Sequence, residues 1–521
     1  MKKILLMLVT LVATVTASAQ EITAPAGWAT SFVPVTEKAE LAGVHTAVAA
    51  DGSIYVSSTY NKAFNFGPIS ITDPDGLTSS VIFKVDQNAS VLWAVTLAGS
   101  CTIQAMTADT DGTLYVAGTS KDEKVVVTGV DGKQYEIVNP TAYDFMTDME
   151  AVSGYSAFVI RIDPNGAVAC LSTIQPSAAT PEDLMNFDKP EITPMKLVLY
   201  NEQLYVACSF YGNVTALGWQ GAYVSMDAWL GTDLKSYGLF SLSKGSLSGA
   251  SSVVTVQRNP LVCTYIDGVQ EEIQNSPEAF DFLVDDAGVY FAFIGYGNLR
   301  ATSSSSSKDF EFEVSNDGSG NNEHGLVMAY NTFLQYPKVC HAAKHDKPAV
   351  PYNLVGMTET SNSEVILGGT FYGNYPLDNS ITKEANTSFV TCIAESVKWN
   401  WVNEAPSEAT CMVVTGEEIH TATEAGLYTL KTANGELLDA DNSHGYVDAD
   451  SFSDKYVSTV YTTDTEVWLQ VPSMNPSGIN NTQATKNTVQ KYYNLNGIEL
   501  TAPQNGLNIV KTADGTRKVL K

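Results

Sequence analysis

A polar turn feeding a short apolar run recurs along the whole chain. Asp51-Gly52-Ser53-Ile54-Tyr55-Val56 returns as Asp111-Gly112-Thr113-Leu114-Tyr115-Val116, and looser copies begin at Asn201, Asp286, Asn362, Gly416 and Asp464. Each joins turn-forming side chains to β-branched and aromatic residues, the pattern of a strand entered from a tight turn. A second element alternates with it. Val81 to Val85 with Val91-Leu92-Trp93 reads as a hairpin, as do Ala157 to Ile162 with Pro164-Asn165-Gly166 and Ser388 to Ile393 with Val397-Lys398-Trp399. This places Trp93 and Trp399 at equivalent core positions. Self-similarity on such a period means a repeat architecture, and units of roughly 50–90 residues with about four strands each suit propeller blades carrying loop insertions. The predicted fold is all-β: a β-propeller of about seven blades, followed by a small C-terminal β tail.

Counting the elements also predicts how the ring closes. Thr30 to Val35 resembles the hairpin element but precedes the first turn, whereas no hairpin follows Asp464 to Leu469. The last blade is therefore expected to take the N-terminal strand, with Phe32 and Val35 in one sheet with Val467 and Leu469. An open ring would expose unpaired strand edges. Lys124 to Val127 and Tyr135 to Val138 read as an extra hairpin about Asp131-Gly132. Thr180 to Met185 is the one short helical start expected. Residues 218–236 read as an insertion without counterpart in the other units.

Lys2 and Lys3, the apolar run Ile4 to Val15 and the small residues Ala17-Ser18-Ala19 read as a cleaved secretory signal. No other stretch has the length of a membrane-spanning helix, so the mature chain is expected not to span a membrane. The expected organisation is a signal over 1–19, a propeller over 20–472, a polar linker over 473–486 and a β segment over 487–521. The formal net charge is −28, which argues against nucleic acid as a partner, because phosphate binding needs clustered Lys and Arg. Seven cysteines without close pairs sit mostly in apolar runs, where they read as small core residues, not as zinc ligands.

The repeats resemble a bacterial β-propeller family built on a D-G-x-x-Y-V-x-G core, an aromatic-Gly turn and an F-V-x-K-h-D-x-x-G-x-x-x-W hairpin; residues 46–97 and 106–170 are the best copies. That resemblance implies a propeller at the cell surface or in the periplasm, and it implies no common activity. Tyr492-Tyr493-Asn494-Leu495-Asn496-Gly497, Gly506-Leu507-Asn508-Ile509-Val510 and Lys518-Val519-Leu520-Lys521 resemble the C-terminal sorting tail of type IX secretion cargo. The implied partner is that secretion machinery, and the implied location is extracellular or at the outer-membrane surface, with the periplasm as the alternative.

Motifs that carry chemistry are sparse. His341 and His345 have i, i+4 spacing but lack the Glu of H-E-x-x-H. Paired carboxylates are too common in so acidic a chain to single out a glycosidase pair. Asp439, Asp441, Asp448 and Asp450 gather oxygen ligands over one short stretch, which makes calcium the candidate metal, although the stretch lacks the full EF-hand pattern; no other cofactor is expected. Asp109-Thr110-Asp111-Gly112 is a lesser version of the same. Trp219, Tyr223 and Trp229, set among polar residues, are the candidate ligand platform for a glycan or a protein. The expected function is a non-enzymatic binding or structural propeller, the alternative a secreted carbohydrate hydrolase or lyase on the same scaffold.

Overall fold

The computed structural model describes residues 28–34, 41–74, 76–144, 149–152, 154–176, 191–211, 214–217, 223–226 and 235–248. Between 253 and 405 it describes strands, with Gly288 and Ala405, and thereafter residues 407, 409–452, 456–462, 466–471, 491–493, 499–500, 507–512 and 515–520. The expected helix over Thr180 to Met185 lies outside the described residues. Among those residues there is no helix, and so none long and apolar enough to cross a membrane. The chain divides into two compact units between Ser473 and Met474.

The larger unit is a β-propeller arrangement of antiparallel sheets. The first sheet runs from inside outward as Leu41–Val48, Ile54–Tyr60, Ser79–Val85 and Val91–Ala98. The second is Cys101–Ala108, Leu114–Ser120, Ser156–Ile162 and Val168–Pro176; the third is Ile192–Tyr200, Gln203–Tyr211, Lys235–Ser243 and Val253–Arg258. The fourth is Glu278–Val284, Val289–Gly295, His324–Tyr330 and Lys338–Lys344, and the fifth is Asn353–Glu359, Val365–Asn374, Thr382–Ala394 and Lys398–Glu404. The sixth is Ala409–Thr415, Glu418–Thr423, Gly426–Lys431 and Leu437–Asp441. The closing sheet combines Tyr446–Phe452, Tyr456–Thr462 and Val467–Val471 with the N-terminal strand Trp28–Pro34. Each inner strand packs against the inner strand of the next sheet, and Tyr446–Phe452 returns to Leu41–Val48.

The N-terminal strand closes the last sheet as expected, with Phe32 opposite Val467 and Thr30 opposite Leu469; Val35 lies outside the described residues. One element is reassigned. Asp464 to Leu469 leads into the third strand of its sheet and does not repeat the first turn; that place belongs to the connection before Tyr456–Thr462. The Trp equivalence also moves. Trp93 pairs with Lys84 just before a bulge, and Trp401, paired with Cys392, holds that position in the fifth sheet. Both indoles donate to a main-chain carbonyl of the following sheet, Trp93 Nε1 to Pro164 at 3.1 Å and Trp401 Nε1 to Thr432 at 3.0 Å. Trp399, one pairing further on, is not the equivalent residue.

Side-chain alternation explains why the second strands read as unbroken apolar runs. Ile54 and Val56 point into the core shared with the closing sheet, beside Phe32, Val467 and Leu469, while Tyr55 points into the core shared with the second sheet. A strand buried on both faces shows no polar–apolar alternation, as at Ile54 to Val56; beyond them the buried Ser58 and Thr59 donate their hydroxyls to main-chain carbonyls. The repeated tyrosines also bond forward: Tyr55 donates its hydroxyl to Gly112 O at 2.5 Å and Tyr115 to Lys244 O at 3.0 Å.

The inserted hairpins follow one rule. The hairpin about Asp131-Gly132 forms, Val127 opposite Tyr135, within the second repeat, yet it pairs onto the outer strand of the first sheet. Likewise Phe64–Phe66 and Ile69–Ile71 extend the closing sheet, Val214–Leu217 and Tyr223–Met226 extend the second, and Gly297–Ser303 and Phe310–Val314 extend the third. Each is inserted between the second and third strands of one sheet and covers the outer edge of the sheet before it. Capping an edge in this way satisfies its main-chain groups. The smaller unit is a sheet of Glu499–Leu500, Lys491–Tyr493, Leu507–Thr512 and Gly515–Leu520, in that spatial order.

Candidate functional site

The inner strands share a bulge at one level. Their ladders slip between Ala42 and His45, Ile103 and Ala105, Pro194 and Lys196, Ala279 and Asp281, Leu354 and Gly356, Ala409 and Cys411, and Tyr446 and Asp448. A bulge re-aims the residue that follows it. The ladder resumes at His45, Ala105, Lys196, Asp281, Gly356, Cys411 and Asp448, opposite Ser57, Ala117, Ala207, Ala292, Gly368, Ala422 and Val460. This level of the inner ring holds the main concentration of polar chemistry among the described residues.

Its side chains are engaged across sheet boundaries. Asp448 Oδ2 accepts the Thr46 N–H at 2.7 Å, and Asp450 Oδ2 accepts the Val48 N–H at 2.8 Å. Cys411 donates its thiol to Ala449 O at 3.2 Å. Lys196 Nζ pairs with Asp281 Oδ1 at 2.5 Å, joining the third sheet to the fourth. Amides on an inner edge have no fifth strand to bond, and these carboxylates supply acceptors. Lys196 is also near enough to lower Cys411 and Asp450 electrostatically, so groups from opposite sides of the ring share one field.

Titration follows from burial. Asp448 is pushed up to about 8 and Asp450 to about 7, chiefly by desolvation; for Asp448 the Asp450 charge adds to this, and for both main-chain hydrogen bonds oppose it. Both residues keep some accessible surface. Burial lowers His45 to about 4, against a hydrogen bond to the Ile103 backbone, and raises the Cys411 thiol. His420 is likewise held near 4 by burial, between Thr415 at 2.7 Å and Thr429 at 3.3 Å. These imidazoles are neutral and the thiol is protonated at neutral pH.

The four candidate metal ligands are divided by the fold. Asp439 and Asp441 lie on the outer strand of the sixth sheet, Asp448 and Asp450 on the inner strand of the closing sheet. What reads as one acidic loop is two strands joined by residues 442–445, and a connection from an outer edge to the next inner edge pulls the pairs apart. Burial raises Asp441, but hydrogen bonds from Ser443 and Tyr446 outweigh it and hold the carboxyl below its ordinary value. No group of three or more His, Cys, Asp or Glu is arranged to hold a metal among the described residues. Asp109 and Asp111 serve their turn, Asp111 accepting the Thr113 N–H at 2.8 Å and Asp109 pairing with Lys244 at 3.2 Å.

Of the candidate platform, Trp219 and Trp229 lie outside the described residues. Tyr223 opens the outermost strand of the second sheet, opposite Leu217. Its segment has counterparts in Gln134–Val138 and Phe310–Val314, so it is a regular edge hairpin, not an insertion unique to one unit. The inner-ring residues His45, Lys196, Asp281 and Cys411 escape a reading by motif. Their signal is the small residue each faces in the turn-strand repeat.

No protein-family model matches the chain, and no curated protein matches it. Among solved structures it is similar to BamB from Moraxella catarrhalis, at 12% identity over 78% of this chain and 95% of that one, with a TM-score of 0.32. It is also similar to the Cps50 (Swd1) β-propeller domain of Myceliophteria thermophila, at 8% identity over 86% and 100% with a TM-score of 0.36. A third is the quinohemoprotein alcohol dehydrogenase of Comamonas testosteroni, at 12% identity over 87% and 78% with a TM-score of 0.33.

Proposed function

We propose that the protein is an exported, non-enzymatic propeller of seven blades that acts as a binding or structural component at the cell surface, with a glycan or a protein as its ligand. One observation carries this reading: the inner-ring side chains best suited to chemistry are spent on joining sheets. Asp448, Asp450 and Cys411 bond main-chain groups of the neighbouring sheet, and Lys196 pairs with Asp281. The apolar start and the Tyr492 to Lys521 tail supply the export part of the reading, with type IX machinery as the partner. The test is a glycan and protein array probed with the mature chain. Specific capture without turnover supports the proposal, and turnover of a captured glycan overturns its non-enzymatic part.

The raised carboxylates Asp448 and Asp450 favour a second reading, a carbohydrate hydrolase or lyase with these residues as acid and base. Sugar release that is lost in Asp448→Asn, with the fold intact, would decide for it.

A further inference from the structure

One face of the closing sheet carries a row of rings that runs outward. Tyr446 is opposite Tyr461, Tyr461 opposite Trp468, and Trp468 opposite Ser31 of the N-terminal strand. Directly opposed residues share a face, and this face turns away from the Phe32, Val467 and Leu469 core. Exposure grows along the row: Tyr446 is 0% and Tyr461 7% exposed, and Trp468 and Ser31 are half-buried. His444, from the 442–445 connection, lies flat on Tyr461 with ring centroids 3.9 Å apart and planes 6° from parallel. Tyr461 and Trp468 are parallel within 4° at 6.0 Å.

The column stops at Trp468. The next cross-strand place holds Ser31, a small hydroxyl side chain, so no ring among the described residues covers the indole on that side. Trp468 also differs from the other indoles in its polar edge. Trp93 and Trp401 each donate to a main-chain carbonyl, whereas Trp468 Nε1 has no hydrogen-bond partner among the described residues. Around it stand Gln470, whose Oε1 accepts the Tyr446 hydroxyl at 3.1 Å, and Glu466, close enough to raise Tyr461 electrostatically after burial and Asp441.

We propose that Trp468 is the platform of a carbohydrate site, a pyranose ring stacking on the indole in the place that a ring at position 31 would fill. The proposal rests on the binding arm of the function above. The C–H face of a sugar extends a stack of flat rings, and its equatorial hydroxyls suit the Ser31 hydroxyl, the Gln470 amide, the Glu466 carboxylate and the indole N–H. A proline ring would use the stack but bring no hydroxyl to the indole N–H or to Ser31. Glu466, Asp441 and the net charge of −28 repel uronic and sialic acids. The ligand class is a neutral glycan.

The experiment measures binding of the mature chain to neutral glucan, mannan and galactan oligosaccharides, to polygalacturonate and to a proline-rich peptide, by calorimetry and tryptophan fluorescence. Trp468→Ala removes the platform. Ser31→Tyr covers it while keeping the indole and the fold, and thermal melts check both variants. The expected result is capture of a neutral oligosaccharide, weakened about tenfold or more in each variant, with Trp468→Phe intermediate and polygalacturonate unbound. Neutral-glycan binding unchanged by Ser31→Tyr overturns the site, as does capture of only the acidic polymer or only the peptide. Capture of an array protein, unaffected by either variant and without any sugar binding, overturns the site and leaves the binding propeller standing.

Discussion

Asp448 accepts the main-chain N–H of Thr46 at 2.7 Å across 402 residues of sequence, so the last sheet of the ring is latched to the first by a carboxylate on an edge amide. Asp450 repeats the contact at Val48, and Ser458 adds a hydroxyl bond to Thr46 at 3.0 Å. This is the junction between the last sheet of the ring and the first.

Protonation of that latch sets a pH dependence. Asp448 and Asp450 are raised from 3.8 to about 8 and about 7 in the folded chain. Between the unfolded and folded values the native state holds more protons than the unfolded state, so this part of the stability is present at low pH and lost as pH rises through the window. Lys196 and Cys411 share the surroundings, and Lys196 opposes the effect at Asp450. The urea midpoint of the wild type is expected to fall between about pH 5 and about pH 8. Asp448→Asn with Asp450→Asn keeps an acceptor oxygen at each amide and flattens that fall; an unchanged slope would refute the assignment.

Trp93 joins adjacent sheets by both packing and a hydrogen bond. Trp93→Phe leaves the Pro164 carbonyl without the indole donor and is expected to cost about 1 kcal/mol. Trp93→Ala also removes a large buried side chain and is expected to cost ~3–5 kcal/mol. Denaturant unfolding of the two variants separates the contributions.

Gly118 lies in the second strand of the second sheet, between Phe158 and Thr102 of the two strands that flank it in that sheet. A Cβ there would lie 2.3 Å from both the Phe158 ring and the Thr102 carbonyl oxygen. Gly118→Ala therefore forces a backbone shift and is expected to cost ~1–3 kcal/mol. At Gly132 nothing lies within 4 Å of the added atom, and only its φ of +76° restricts the residue. Gly132→Asn, which tolerates that conformation, is expected to change the melting temperature little.

What the sequence reveals of this fold depends on whether a residue's task is local. Asp51-Gly52 and Asp111-Gly112 announce their turns because turn chemistry sits in adjacent residues. The swap of the Val125 hairpin onto the preceding sheet leaves no such mark, since its partner Ala98 lies before the repeat that contains it. Trp399 and Trp401 differ by one pairing, which only the bulge between Cys392 and Ile393 resolves. The aspartates at 439–450 are visible as acids, but their separation comes from a connection that crosses a sheet. Trp468 is visible as an aromatic residue in a strand; its column is not, because His444, Tyr461 and Ser31 come from other segments.

The terminal unit allows a test of the proposed export. Its strands Leu507–Thr512 and Gly515–Leu520 pair from Leu507 opposite Leu520 to Thr512 opposite Gly515. If the tail is a sorting signal, removal of residues 487–521 should leave the larger unit folded and held in the periplasm. Fractionation of cells carrying the full and shortened chains measures this, and equal surface delivery would refute the sorting role.

The N-terminal strand provides the last test, because it is held on both sides. Phe32 lies opposite Val467 in one neighbour and opposite Phe66 in the other. Its ring stacks on Phe66 at 4.3 Å and meets Phe83 edge-on at 5.7 Å, and it is 0% exposed. Phe32→Ala opens a cavity between the closing and first sheets and is expected to cost ~3–5 kcal/mol. Loss of the whole strand Trp28–Pro34 goes further, leaving the edges of Val467–Val471 and Phe64–Phe66 unpaired. A chain beginning after residue 34 is therefore expected to self-associate, and Phe32→Ala to remain monomeric but melt earlier. Light scattering with thermal unfolding distinguishes the two. A shortened chain that stays monomeric with an unchanged melting temperature would show that the ring does not depend on this strand.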